Sequence, residues 1–139
     1  MKNALKILFV CLLFVSCQQK ITPEDIGKLN GYWEIEKVSF KEGEDKEYKM
    51  NENFDFFKID GNQGIRRKVR PQFDGTFLTN NEAEEIHISD SSGSYMIQYK
   101  TAYTQWNEEI ITLTDSVLVL KNKQNLEYHY KRFIPFSLK

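Results

Sequence analysis

The chain has 139 residues, of which 40% are hydrophobic and 28% charged, with a formal net charge of −1. That length suits one compact domain around a single core, and the near-neutral charge gives no general pull towards nucleic acid, which calls for a basic domain. Cysteine occurs only as Cys11 and Cys17, too few for a Cys-rich metal site and too far apart in sequence for a CxxC redox motif.

The N-terminus opens on Met1-Lys2-Asn3-Ala4-Leu5-Lys6, followed by the almost wholly apolar stretch Ile7 to Val15. A short basic segment before a short apolar run is the layout of a secretory signal. The run is much shorter than the ~20 residues a membrane-spanning helix needs. A core helix fits poorly as well, because the run sits behind two lysines at the extreme end and stops at Gln18-Gln19-Lys20.

Leu13-Phe14-Val15-Ser16-Cys17 resembles a lipobox, in which a small residue precedes the cysteine whose thiol receives diacylglycerol. Phe14 stands where the pattern prefers Leu. The expected maturation removes residues 1–16 and leaves Cys17 as the acylated N-terminus, carrying fatty chains such as palmitate. Cys11 leaves with the signal, so no thiol remains for a disulfide. Loss of Lys2 and Lys6 lowers the basic residues from 19 to 17 against 20 acidic ones, a formal charge of −3. Gln18 is not the aspartate that retains enterobacterial lipoproteins at the inner membrane, which points to the outer membrane. Residues 17–29 read as a short tether, in which Pro23 to Ile26 can form one helical turn with Thr22 as its cap.

From Gly31 onward the pattern is β. Predicted strands run over 32–41, 54–60, 64–70, 75–79, 84–89, 95–101, 106–112, 116–121 and 126–133. Most are short and separated by Gly, Asn, Asp or Ser clusters, the spacing of a sandwich or an up-and-down barrel. The period of two puts Tyr95, Ile97 and Tyr99 on one face, Ile86 and Ile88 on one face, Leu118 and Leu120 on another, and Tyr128 with Tyr130. Trp33 and Ile35 are out of phase with Val38 and Phe40, and a bulge near Glu36-Lys37 would reconcile them. Phe54, Phe56, Phe57 and Ile59 show the same break. Residues 30–139 thus read as one all-β domain, a small antiparallel up-and-down barrel of about eight strands. At that size the interior is either filled by side chains or holds one small ligand.

Leu29-Asn30-Gly31-Tyr32-Trp33 opens the first strand with a Gly-x-Trp. Ile111 to Lys121 looks like a late hairpin, and Leu126 to Arg132 forms a last strand ending in a basic residue. Together these resemble the lipocalin-like lipoproteins of the small type found in Bacteroidetes. The resemblance implies that Arg132 packs over Trp33 to close the barrel floor, where cation–π attraction is worth roughly 0.5–2 kcal/mol. It also implies binding of a small hydrophobic molecule, for which Trp33, Arg67, Tyr95, Tyr99 and Tyr128 are the candidate lining. A filled barrel acting as an interaction module of the cell envelope is the rival reading; its protein partner is not named by the sequence.

No catalytic residue, metal ligand or cofactor is expected. There is no Gly-x-Ser-x-Gly elbow, His-Glu-x-x-His or phosphate-cradling Gly loop. Glu85 and His87 alternate onto an outer face, and His129 lies between Glu127 and Lys131. The cluster Arg66-Arg67-Lys68 with Arg70 puts Arg66, Lys68 and Arg70 on one face, read as a solvated outer face or strand edge. Arg67 shares the phase of Ile65 and Val69; if it points into the barrel it must be paired there, which makes it the candidate for binding a carboxylate or phosphate on a ligand.

Overall fold

A computed structural model describes residues 20–135; the signal segment, Cys17 and the last four residues lie outside the described residues. A 3-10 helix, Pro23–Leu29, leads into β1 (Gly31–Ser39), β2 (Lys46–Glu47), β3 (Phe54–Asp60), β4 (Gln63–Pro71) and β5 (Phe77–Thr79). Then follow β6 (Glu84–Ser91), β7 (Ser94–Lys100), β8 (Gln105–Leu113), β9 (Val117–Lys121) and β10 (Glu127–Phe133). Eight of these form a closed antiparallel barrel in the order β1, β3, β4, β6, β7, β8, β9, β10, sealed where β10 pairs with β1. The short strands β2 and β5 lie beside β1 and β4.

The period of two fills the interior. Ile86, Ile88, Tyr95, Ile97, Tyr99, Ile110, Leu118, Leu120 and Tyr130 form one buried cluster with Trp33 and Phe57. The ladder of β1 with β10 shifts register between Ile35 and Lys37, so Glu36 is the extra residue of a bulge. That bulge lets Trp33 and Val38 both be buried although they are an odd number of residues apart.

On β3 the ladder with β4 runs unbroken, so the expected second bulge is missing. Both faces of β3 are covered instead. Phe57 faces the core, while Phe54 and Phe56 meet a second aromatic group outside the barrel: Tyr32 stacks on Phe77 at 4.3 Å and contacts Phe56 at 4.8 Å, and Phe133 meets Phe54 edge-on at 4.5 Å.

Residues 23–29 are part of the folded body and not of a free tether. Ile26 and Leu29 are buried in the core. The Asp25 carboxylate accepts hydrogen bonds from the Thr22 amide (2.9 Å) and hydroxyl (3.0 Å) and from Lys28 Nζ (2.8 Å), which fixes the turn against one end of the barrel. These contacts hold its carboxyl down at about 2.

Candidate functional site

The two ends of the barrel differ. At the closed end the indole Nε1 of Trp33 donates to the Leu29 carbonyl at 2.9 Å, and the Trp33 side chain is fully buried. The Arg132 guanidinium lies 4.2 Å from the Trp33 ring centroid. It also donates to the carbonyls of Lys28, Asn30 and Asp115. One planar fork thus ties the helix, the start of β1 and the β8–β9 turn together. Gly31 makes this possible: its φ is +116°, and a Cβ there would lie 2.7 Å from Arg132 Nη1. The Gly of the Gly-x-Trp pattern leaves room for the arginine.

Towards the open end the interior becomes charged. Phe57 faces the core, and its ladder partner on β4 is Arg66. Cross-strand partners share a face, so Arg66 and Lys68 point inward and Arg67 outward. This reverses the sequence expectation for the cluster. Phase counting took the apolar Ile65 and Val69 as markers of the inside, but they belong to the covered outer face of β3 and β4, where Arg67 sits opposite Phe56.

Arg66 fills the middle of the barrel. Its side chain is only 11% exposed. The guanidinium lies 4.3 Å from the Tyr99 ring centroid and 5.9 Å from that of Trp106, and those two rings stack at 5.1 Å. Its Nε donates to Glu84, and its Nη1 stands 3.6 Å from Glu108, an ion pair too long for a hydrogen bond. Lys68 reaches the buried Asp55. Burial works against the Arg66 charge, but the Tyr99 oxygen and the Glu84 and Asp55 carboxylates outweigh it and hold the guanidinium firmly charged. Burial also pushes the Glu108 carboxyl up, against the opposing pull of Tyr99 and Arg66, and raises the Tyr99 and Tyr130 hydroxyls. The Tyr99 hydroxyl and Glu108 Oε1 are both buried and are each other's polar neighbours beside Arg66.

Above this cluster a concavity of about 370 Å³ opens at the mouth. Arg66 and Lys68 of β4 line it together with Glu84 of the neighbouring β6 and Glu82 just before that strand, Arg66 and Glu84 being ladder partners. Ala102 and Tyr103, in the loop between β7 and β8, contribute an apolar patch.

Of the sequence candidates, Trp33, Tyr95 and Tyr99 share the buried cluster, and Tyr128 packs partly buried against it. Trp33 lies at the floor. Tyr95 lies near it, where burial raises its hydroxyl and Asp90, Glu24 and Asp25 add to the effect. Arg67 is apart from them. The Tyr128 hydroxyl accepts a bond from Asn122 at 3.3 Å. The sequence reading missed Arg66, Glu108 and Asp55. The available signal was charge at inward phase: Asp55 alternates with Phe57, and Glu108 with Ile110. His87 is exposed on β6, and His129 is within 3.3 Å of the Ser39 hydroxyl.

Among solved structures, a lipocalin-like protein from Bacteroides uniformis ATCC 8492 is 15% identical, with a TM-score of 0.51 over 77% of this chain and 100% of its own. A protein from Bacteroides eggerthii DSM 20697 is 12% identical, with a TM-score of 0.49 over 76% of this chain and 99% of its own. No functionally curated protein matches. The lipocalin-like domain model matches residues 29–120, from the end of the floor helix through β9. The chain belongs to the lipocalin-like domain family.

Proposed function

We propose that this is a non-catalytic lipoprotein of the cell envelope, acylated at Cys17, whose barrel binds a small molecule at its mouth. One observation carries this reading: Arg66 occupies the barrel centre, and a concavity of about 370 Å³ opens above it at the mouth. That volume lies within the ~300–1,000 Å³ range of small-molecule sites. The floor supports the same reading, since Trp33, Phe57, Ile97, Leu118 and Leu120 are all fully buried side chains that leave the deep interior to the protein itself. A long apolar shaft for a fatty ligand between Trp33, Tyr95 and Tyr99 fits this packing poorly.

The test is native mass spectrometry of the mature protein purified from its own host. A bound species that is lost on denaturation, and whose retention falls in Tyr103→Ala, is the expected result. A mass equal to the acylated polypeptide alone would sink the binding reading. The anchor is tested in the same preparation: Cys17→Ser should move the protein from the membrane to the soluble fraction and abolish incorporation of labelled palmitate.

A second reading, a filled barrel that holds a protein partner, is favoured by a different observation. Met50, Phe73 and Tyr103 are strongly exposed on loops of the open end, at 94%, 106% and 98%. Exposed apolar groups of that kind mark interaction surfaces when they cluster.

A further inference from the structure

The outside of the barrel carries a polar face that neither the core nor the mouth uses. On β6 and β7 the side chains of Ile86, Ile88, Ile97 and Tyr99 fill the interior, so the residues between them point out. The ladders align these outward residues in rows across β3, β4, β6, β7 and β8. One row runs Asp60, Gln63, His87, Gln98 and Asn107. The next runs Lys58, Ile65, Glu85, Lys100 and Gln105. All but Asn107 line one open concavity of about 860 Å³. Beneath it, a Cβ at Gly64 would collide with the Lys58 carbonyl, so only glycine lets β3 and β4 approach this closely.

The composition of this face selects its partner. Among the described residues, the bonds made by these five strands leave the side-chain amides of Gln63, Gln98, Gln105 and Asn107 and the His87 ring unengaged. Asn is disfavoured in strands, and Asn107 in the middle of β8 breaks a local rule in the way working surfaces do. Lys58 and Lys100 balance Asp60 and Glu85, so the face has no net charge. A bilayer or a nucleic acid calls for a basic surface. A protein interface calls for aromatic anchors, and Ile65 is the one apolar side chain in either row. Hydroxyl groups fit what is present. An amide sets two donors beside an acceptor, which bridges neighbouring hydroxyls of one ring. Such groups recur here from strand to strand, at intervals of roughly 4.8 Å, and Ile65 with the lysine stems offers a C–H surface beside them.

We infer that this face binds a neutral, extended oligosaccharide lying across the strands, with Gln63, His87, Gln98 and Asn107 bonding successive rings. Four strand intervals make the row roughly 19 Å long, enough for several sugar units. The site is separate from the mouth and does not depend on the mouth binding anything.

The experiment is two-dimensional NMR of the ¹⁵N-labelled mature lipoprotein in detergent, which reads the side-chain amides directly. The probes are cellohexaose, mannohexaose and xylohexaose as neutral chains, cellobiose as a short one, polygalacturonate as a charged one and vesicles of anionic phospholipid. At least one neutral hexasaccharide should bind and shift the Gln63, Gln98 and Asn107 side-chain signals, with cellobiose weaker than cellohexaose if that chain is the one bound. Gln98→Ala should weaken binding about fivefold, and Gln63→Ala with Gln98→Ala tenfold or more, as expected for one and two hydrogen bonds. Both positions are exposed and outside the core, so the variants keep the fold. Binding of none of the three hexasaccharides, equal binding in the double variant, or tighter binding of polygalacturonate or of the vesicles overturns the inference. Gln98 lies outside the mouth, so Gln98→Ala should still retain the species seen by native mass spectrometry. A host molecule in the mouth with no oligosaccharide on the outer face sinks this inference alone, and an empty mouth with a bound oligosaccharide sinks the mouth reading alone.

Discussion

Arg132 is a small part of the sequence with a large structural task. It stacks on Trp33 and bonds three carbonyls, two at the end of the floor helix and one in the β8–β9 turn. Cation–π attraction and charged hydrogen bonds together put Arg132→Ala at about 2–4 kcal/mol of lost stability in urea unfolding. Arg132→Lys should recover little, because an ammonium cannot span three carbonyls with one rigid plane. A loss under 1 kcal/mol would show that the floor closes without it.

Glu108 makes the opposite contribution. Its folded pKa is raised, chiefly by burial. The folded state therefore holds the proton to higher pH than the unfolded chain does, and stability falls as pH climbs from the ordinary glutamate range through the raised value. Below that range both states are protonated and the effect vanishes. Glu108→Gln should flatten the decline and raise the urea midpoint at neutral pH. Unchanged pH dependence in the variant would assign the slope to other groups.

At the scale of the element, Gly31 shows why the Gly-x-Trp pattern reads as it does. Its positive φ is costly for any side chain, and the missing Cβ is the space Arg132 occupies. Gly31→Ala should lower the melting temperature about as much as losing the arginine, and the double variant Gly31→Ala with Arg132→Ala should be less than additive. Additive losses would mean that the two do not share one site.

The strands themselves were legible because alternation is a backbone property: a period of two survives whatever lies on either face. The bulge at Glu36 was legible for the same reason, as two apolar pairs out of phase demand an extra residue. What alternation cannot tell is which face is inside when both are covered. Phe54 and Phe56 looked like a phase error because nothing in the local sequence announces Tyr32, Phe77 and Phe133 on the outside. The same ambiguity turned Arg66 and Arg67 around. Ile65 and Val69 mark a covered face, and only the ladder with Phe57 shows that it is the outer one. The buried acids were harder still, since Asp55 and Glu108 sit among polar neighbours and gain their environment from strands far away in sequence.

For the whole molecule, the closed sheet gives the barrel two ends with different tasks, and the chain enters at the floor. Lys20 approaches Gly93 in the β6–β7 hairpin, and Ile21 packs against the core. Cys17 is three residues earlier, a reach of roughly 10 Å at full extension. If Cys17 carries the lipid, the floor must lie against the bilayer and the mouth must open away from it, so that a guest arrives from the aqueous side and not from the membrane. A fluorophore on Ser92→Cys, beside Lys20, should then be quenched strongly by nitroxide-labelled headgroups when the lipoprotein sits in vesicles. The same probe on Tyr103→Cys at the mouth should be quenched weakly. Equal quenching at the two positions would mean that the short tether does not orient the barrel, and stronger quenching at the mouth would turn the molecule over and make the bilayer itself the source of its ligand.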